Sequence, residues 1–175
     1  MKKFFFTLLF ALLAFSATAQ ERWSVGLRVG SAFQVDAQAH FNKQYLEARL
    51  GLGYINRYAY KVHVDEQIYL GYSQPLTADF SLFYNWKIHH WNINAGRVFF
   101  DAGVGLNIGG NADFLYVGPT GMAKIGFKFD NAPIALSLDW SPTFGGSIPY
   151  QHVYGRSTFN SMGLANFGVT CVYNF

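Results

Sequence analysis

Apolar side chains return at every second position through most of the chain after Gln20, and every charged residue inside those runs falls in the opposite phase. A strand points successive side chains to opposite faces of its sheet, so a period of two specifies strands with one apolar and one polar face. About eight runs follow this rule. Trp23 to Gly30 carries Trp23, Val25, Leu27 and Val29; Ala32 to Phe41 carries Phe33, Val35, Ala37, Ala39 and Phe41. A turn at Asn42-Lys43-Gln44 leads to Leu46, Ala48, Leu50, Leu52 and Tyr54, and Leu76 to Ile88 follows with Phe80, Leu82, Tyr84 and Trp86. Val98 to Ile108, Gly121 to Phe129, Ile134 to Trp140 and Phe167 to Phe175 complete the series. No run has the period of an amphipathic helix, so the predicted class is all-β.

Which face is the inside follows from the polar phase. It holds Arg28, Asp36, Glu47, Arg49, Asp79, Lys87, Asp101, Lys124, Lys128 and Asp139, together with Gly26, Gly30, Gly51, Gly53, Gly103, Gly105, Gly126 and Gly168. A water-facing sheet surface gains nothing from so many glycines, which weaken strands. The crowded interior of a small barrel does gain, because each missing side chain leaves space for a long polar arm. Polar inside leaves apolar outside, and a charge on a lipid-facing strand position costs about 2–4 kcal/mol at mid-membrane. The expected fold is therefore a membrane-spanning, antiparallel up-and-down β-barrel of eight strands. Ten is the alternative, because Tyr60, Val62 and Val64, then Ile68, Leu70 and Tyr72, alternate about Asp65-Glu66. The eight-strand reading makes that segment a protruding hairpin.

Composition agrees: 51% of residues are hydrophobic and 19% aromatic, but only 13% are charged, about half the usual share. Part of the excess lies at the N-terminus, where Lys2 and Lys3 precede an apolar run from Phe4 to Phe15 and the small residues Ser16-Ala17-Thr18-Ala19. That pattern predicts a secretory signal peptide over residues 1–19, cut before Gln20, and a barrel domain over 20–175. The run is short for a spanning helix. Cys171 is the one cysteine, which excludes an intrachain disulfide and a lipid-modified cysteine after the signal. No basic cluster supports nucleic-acid binding.

Pro133-Ile-Ala-Leu-Ser-Leu-Asp-Trp-Ser-Pro-Thr-Phe144, preceded by Gly126-Phe-Lys-Phe129 and a tight turn, resembles the penultimate strand of small outer-membrane barrel proteins of Gram-negative bacteria, broadly OmpX/OmpW-like. Val25-Gly-Leu-Arg-Val-Gly30, Tyr45-Leu-Glu-Ala-Arg-Leu-Gly51 and Phe100-Asp-Ala-Gly-Val-Gly105 are similar to the same family, so the likeness covers most of the chain. It implies location in the cell outer membrane, both chain ends periplasmic, and a monomer whose partners are lipid and, during biogenesis, the barrel-assembly machinery. Asn166, Gly168, Cys171, Tyr173 and terminal Phe175 are similar to the C-terminal signal which that machinery recognises, with cysteine unusual at its position. Orientation by that likeness turns 42–44, 89–97 and 130–132 to the periplasm and 30–31, 57–75, 109–117 and 144–162 outward.

On this reading Trp23, Tyr54, Trp86, Trp140 and Tyr173 form an interfacial aromatic girdle, with Trp91 near it. Tyr58, Tyr60, Tyr69, Tyr72, Tyr150 and Tyr154 either join it or, beside a raised sheet edge, offer contact area to an extracellular ligand or protein. The polar phase sets Arg28, Arg49, Lys87, Lys124 and Lys128 against Asp36, Glu47, Asp79, Asp101 and Asp139, a balance that predicts an ion-pair network plugging the interior. The architecture is porin-like, yet eight strands are too few for an open diffusion pore. The expected role is envelope structure or surface interaction through the outer connections, not catalysis. Two other functions stay open: a lipid A acyl hydrolase or transferase using His152, Ser157 or Ser161 with Asp139, and a lateral conduit for small apolar molecules. No cofactor or metal is expected, since His40 and His63 stand alone and adjacent His89 and His90 point apart on a strand.

Overall fold

The computed structural model describes residues 23–54, 58–64, 67–73, 76–150, 158–160 and 164–175. The expected signal peptide 1–19 and Asp65, Glu66, His152, Tyr154, Ser157 and Ser161 lie outside the described residues, as do the side chains of Tyr58, Tyr60, His63, Tyr69 and Tyr72. The described residues form twelve strands: β1 (Trp23–Gly30), β2 (Ala32–Phe41), β3 (Gln44–Gly53), β4 (Tyr58–Val64), β5 (Gln67–Ser73), β6 (Thr77–Ile93), β7 (Gly96–Gly110), β8 (Phe114–Phe129), β9 (Ile134–Trp140), β10 (Gly145–Pro149), β11 (Thr158–Asn160) and β12 (Phe167–Asn174).

Eight of them close on themselves. β1, β2, β3, β6, β7, β8, β9 and β12 pair antiparallel in that order, and β12 returns to β1 from Gly30↔Gly168 to Ser24↔Asn174. β4 and β5 pair with one another in a separate two-stranded sheet, so they add no strand to the ring, and eight rather than ten is its number. β10 continues β9: the register from Lys128↔Ala135 runs unbroken through the Thr120↔Thr143 bridge to Phe114↔Pro149. The two are separated because Pro119 and Pro142 face this seam without an N–H to give. Gly121 N still donates to Pro142 O at 2.8 Å, and Phe144 N to Pro119 O at 2.9 Å.

One rim holds Trp23 and Phe175, the first and last described residues, and the tight turns Asn42–Lys43, Asn94–Ala95 and 130–133. Asn42 takes a left-handed φ of 47°, a conformation that asparagine tolerates better than most residues. Phe175 N donates to Trp23 O at 2.9 Å, and Asn174 N to Pro133 O at 2.8 Å, which ties the last residues to this rim.

The packing is inside out for a water-soluble domain. Leu50 is 61% exposed, Leu106 60% and Val104 58%, whereas Arg28, Asp36 and Glu47 are 0% exposed. Several strands are longer than their sequence signals. The 109–117 segment, expected as an outer loop, is ladder on both sides of a short turn in which Asn111 Oδ1 accepts from Asp113 N at 2.8 Å. Gly118 and Gly145 resemble turn punctuation in sequence, but they mark close backbone contact: a Cβ on Gly118 would lie 2.0 Å from Phe144 O. β6 likewise runs to Ile93 through a bulge between Lys87 and His89, where expectation put a connection from residue 89.

Candidate functional site

The interior is the chemically loaded part of the molecule, and it divides into three layers along the barrel. In the middle layer the Asp139 carboxylate, from β9, joins two arginines. Its Oδ1 accepts from Arg28 Nε at 2.9 Å and from Arg49 Nη1 at 3.0 Å, and its Oδ2 from Thr170 Oγ1 at 2.8 Å. Arg49 also reaches Asp36 Oδ2 at 3.2 Å and Glu47 Oε1 at 2.6 Å. Lys124 Nζ donates to Glu47 Oε2 across the barrel at 2.7 Å. The Arg49 guanidinium lies 5.2 Å from the Phe83 ring centroid, and Lys124 Nζ lies 5.5 Å from that of Tyr45. Three cations and three carboxylates therefore neutralise one another, which is how buried charges are tolerated at all.

Glycine makes the central contact sterically feasible. A Cβ on Gly168 would lie 2.5 Å from Arg28 Cζ, so the guanidinium crosses β12 over the glycine to reach β9. At Gly103 and Gly105 the space is taken instead by Asn85 and Phe83. The polar-face glycines thus accommodate amides and aromatics as well as charged arms.

Toward the rim opposite the termini, Asp79 is served by neutral donors. Gln34 Nε2 and Asn107 Nδ2 donate to its two oxygens, Ser81 stands at 3.5 Å, and Gln34 Oε1 in turn accepts from Arg28 Nη1 at 3.2 Å. No cation lies within ion-pair distance of Asp79 among the described residues.

Toward the turn rim the interior opens into a cavity of about 110 Å³. Among the described residues, Lys87, Arg97, Lys124, Lys128 and Asp101 line it. Tyr45 Oη donates to Asp101 Oδ2 at 3.0 Å, while Asp101 Oδ1 has no hydrogen-bond partner and stands 3.7 Å from His90 Nε2. His40 Nε2 lies 2.8 Å from Ser24 Oγ, and its Nδ1 is buried without a partner. Of the ten charges expected inside, Arg28, Asp36, Glu47, Arg49, Lys124 and Asp139 form the ion pairs of the middle layer. Asp79 sits apart from them toward one end, and Lys87, Asp101 and Lys128 line the cavity toward the other.

Sequence reasoning passed over the cavity's remaining groups. Arg97 sits next to the turn glycine Gly96, outside the alternating run. His90 faces inward because the bulge at Ile88 resets the phase; His89 turns outward, with its ring 4.5 Å from Trp91. No three of His, Cys, Asp and Glu converge in a metal-binding group among the described residues.

Trp23, Trp86 and Tyr173 stand outward near the turn rim, and Tyr54 and Trp140 near the opposite one, all at least 38% exposed. Trp140 stacks on Phe167 at 6.1 Å, and its Nε1 donates to Leu164 O at 2.6 Å. In the closing segment Asn166 Oδ1 accepts from Arg28 Nη2 at 3.1 Å, Cys171 is exposed, and Tyr173 packs edge-on against Phe175 at 4.9 Å. Comparison with protein-family models, curated proteins and solved structures finds no match.

Proposed function

We propose that this chain is an integral β-barrel of a bacterial outer membrane, plugged by side chains and serving envelope structure or surface interaction through its outer connections. The observation that carries the reading is the outer surface of the ring: Val25, Leu27, Val35, Leu50, Leu82, Val104, Leu106, Ile125, Leu138 and Val169 are all exposed there, and no charged residue shares their phase on the ring strands. In water so large an apolar surface would aggregate. In lipid it is the required solvent-facing surface, and ring closure leaves no unpaired edge in hydrocarbon. The predicted signal peptide, the aromatics near both rims and the OmpX/OmpW-like segments support the same location, with lipid and the assembly machinery as partners of a monomeric barrel.

The test is fractionation with gel mobility. The protein is expected in the outer-membrane fraction and, in mild detergent, to migrate differently before and after boiling. A soluble protein without heat-dependent mobility would end the proposal. An acyl hydrolase or transferase is a poorer reading, because the Asp139 carboxylate is buried in the middle layer and already holds Arg28, Arg49 and Thr170. A lipid A mass profile that changes on deletion of the gene would restore it. The lateral conduit draws support from the Pro119/Pro142 seam, and uptake of an apolar dye into liposomes tests it.

A further inference from the structure

We infer that the free edge of β6 between Ile88 and Ile93, at the turn rim, is a docking site that takes up an extended, acidic segment of a partner chain as an added strand. Register creates the edge. β3 begins at Gln44 opposite Trp86, and Lys87 N donates to Lys43 O at 2.8 Å. Past that bond β6 continues to Ile93 with β7 on one side, from His89↔Phe100 to Ile93↔Gly96, and with no described strand on the other. Every residue from Ile88 to Ile93 is exposed, a strand length of about 20 Å.

The same contacts give the direction of the main-chain groups. Successive residues of a strand turn their N–H and C=O to alternate sides. Lys87 faces β3, so in a regular strand His89 and Trp91 would face that side too. The bulge between Lys87 and His89 shifts the phase by one. His89, Trp91 and Ile93 therefore bond β7, and the N–H and C=O of His90 and Asn92 point away from the sheet. Such an edge is a template for another strand, which proteins commonly blunt with lysine or proline; this span contains neither.

Charge selects the occupant. Lys43 is exposed where the edge begins, and Arg97 is exposed opposite Asn92, whose Oδ1 accepts from Arg97 Nε at 3.0 Å. No carboxylate occurs from Ile88 to Phe100; Asp101 is 5% exposed and accepts from Tyr45, and Asp130 borders the hairpin at Ala95 on the β8 side. An added strand with carboxylates at alternate positions meets opposite charge here, and a basic one meets like charge. Trp91 and Ile93, exposed beside the edge, offer apolar contact to its other side chains. A second copy of this chain is a poor occupant, because antiparallel pairing of two β6 edges turns the barrels in opposite directions and sets like charges together. The inference needs the barrel's register and not its location.

Fluorescence anisotropy of a labelled synthetic peptide alternating valine and glutamate, titrated with the detergent-refolded barrel, tests the site beside a valine–lysine counterpart. Saturable binding of the acidic peptide is expected, preferred over the basic one by about tenfold. Asn92→Pro removes an N–H that β7 does not use, so the barrel keeps its ladder while the peptide should bind about tenfold more weakly or worse. Asn92→Ala keeps that N–H and should bind within about threefold of wild type. Lys43→Glu with Arg97→Glu should reverse the preference between the peptides, and these exposed positions keep the test standing where Asn92→Pro fails to refold. The inference is overturned if the acidic peptide shows no saturable binding, if both peptides bind alike, if Asn92→Pro binds as wild type does, or if Asn92→Ala loses as much as Asn92→Pro. Dimerisation in detergent that Asn92→Pro abolishes would assign the edge to a second copy and overturn it too. Heat-dependent gel mobility, read on the same samples, reports the barrel separately from the site.

Discussion

Replacing Asp139 by alanine removes the acceptor that two buried arginines share. In the native barrel Asp139, 1% exposed, takes Arg28 at 2.9 Å and Arg49 at 3.0 Å. Arg28 would keep only the neutral acceptors Gln34 and Asn166, while Arg49 would keep Asp36 and Glu47. The middle layer would go from three charges of each sign to an excess of one cation, with Arg28 bearing most of the loss. Breaking a buried pair on one side costs about 3–5 kcal/mol, most of it the lone charge left behind. Asp139→Ala is therefore expected to destabilise the barrel by about that amount in guanidinium unfolding, followed by tryptophan fluorescence in detergent. Adding Arg28→Ala restores neutrality, so the double variant should be less destabilised than the sum of the two single ones, by about 1–3 kcal/mol. A single-variant loss under about 1 kcal/mol, or strict additivity in the double, would refute the premise that charge balance holds this layer together.

Gly168→Val should destabilise the barrel and lower the temperature at which its gel mobility changes, since its Cβ would lie 2.5 Å from Arg28 Cζ and push the guanidinium off Asp139, whereas Gly121→Ala, whose Cβ would meet Pro142 Cγ at 3.5 Å, should leave that temperature unchanged. Leu50→Arg, at a position 61% exposed, should lower stability in lipid vesicles by about 2–4 kcal/mol if the band lies at mid-membrane; no effect there would count against the membrane reading. Cys171, exposed on the outer face beside Val169 and Tyr173, should react with an apolar maleimide and resist a charged one in vesicles. Equal labelling by both reagents would place that face in water.

The phase of each ring strand was legible because alternation is a local signal, and eight strands with opposed faces already imply closure. Strand ends were less legible. Gly110, Gly118 and Pro119 read as turn chemistry, yet in the barrel they sit where backbones of adjacent strands press together or where a seam lacks donors. The bulge at Ile88 left no mark in the sequence, so His90 could not be assigned to the interior. Partner choice was the least legible of all. Arg28 skips β12 to reach β9, and Glu47 on β3 meets Lys124 on β8 across the barrel. Such pairs depend on strand tilt and stagger, which one strand's sequence does not encode. Counting five charges of each sign therefore suggested a uniform plug, where the barrel's stagger collects six of the ten in one ion-paired layer and sets Asp79 apart among neutral donors.

The plug and the closing seam are one structure. β12 supplies the space at Gly168 for the Arg28 arm and the Thr170 hydroxyl to Asp139, and Asn166, just before it, receives Arg28 Nη2. Until β12 lies between β1 and β9, Arg28 and Asp139 have no path to one another and the middle layer holds unpaired charge. Because unpaired buried charge is costly, ring closure and charge neutralisation must occur together. The polar residues of the last strand thus contribute to closing the barrel alongside its backbone ladder. That accounts for a terminal segment whose outward side chains are nearly all apolar while its inward ones, Val172 apart, are glycine, threonine and asparagine.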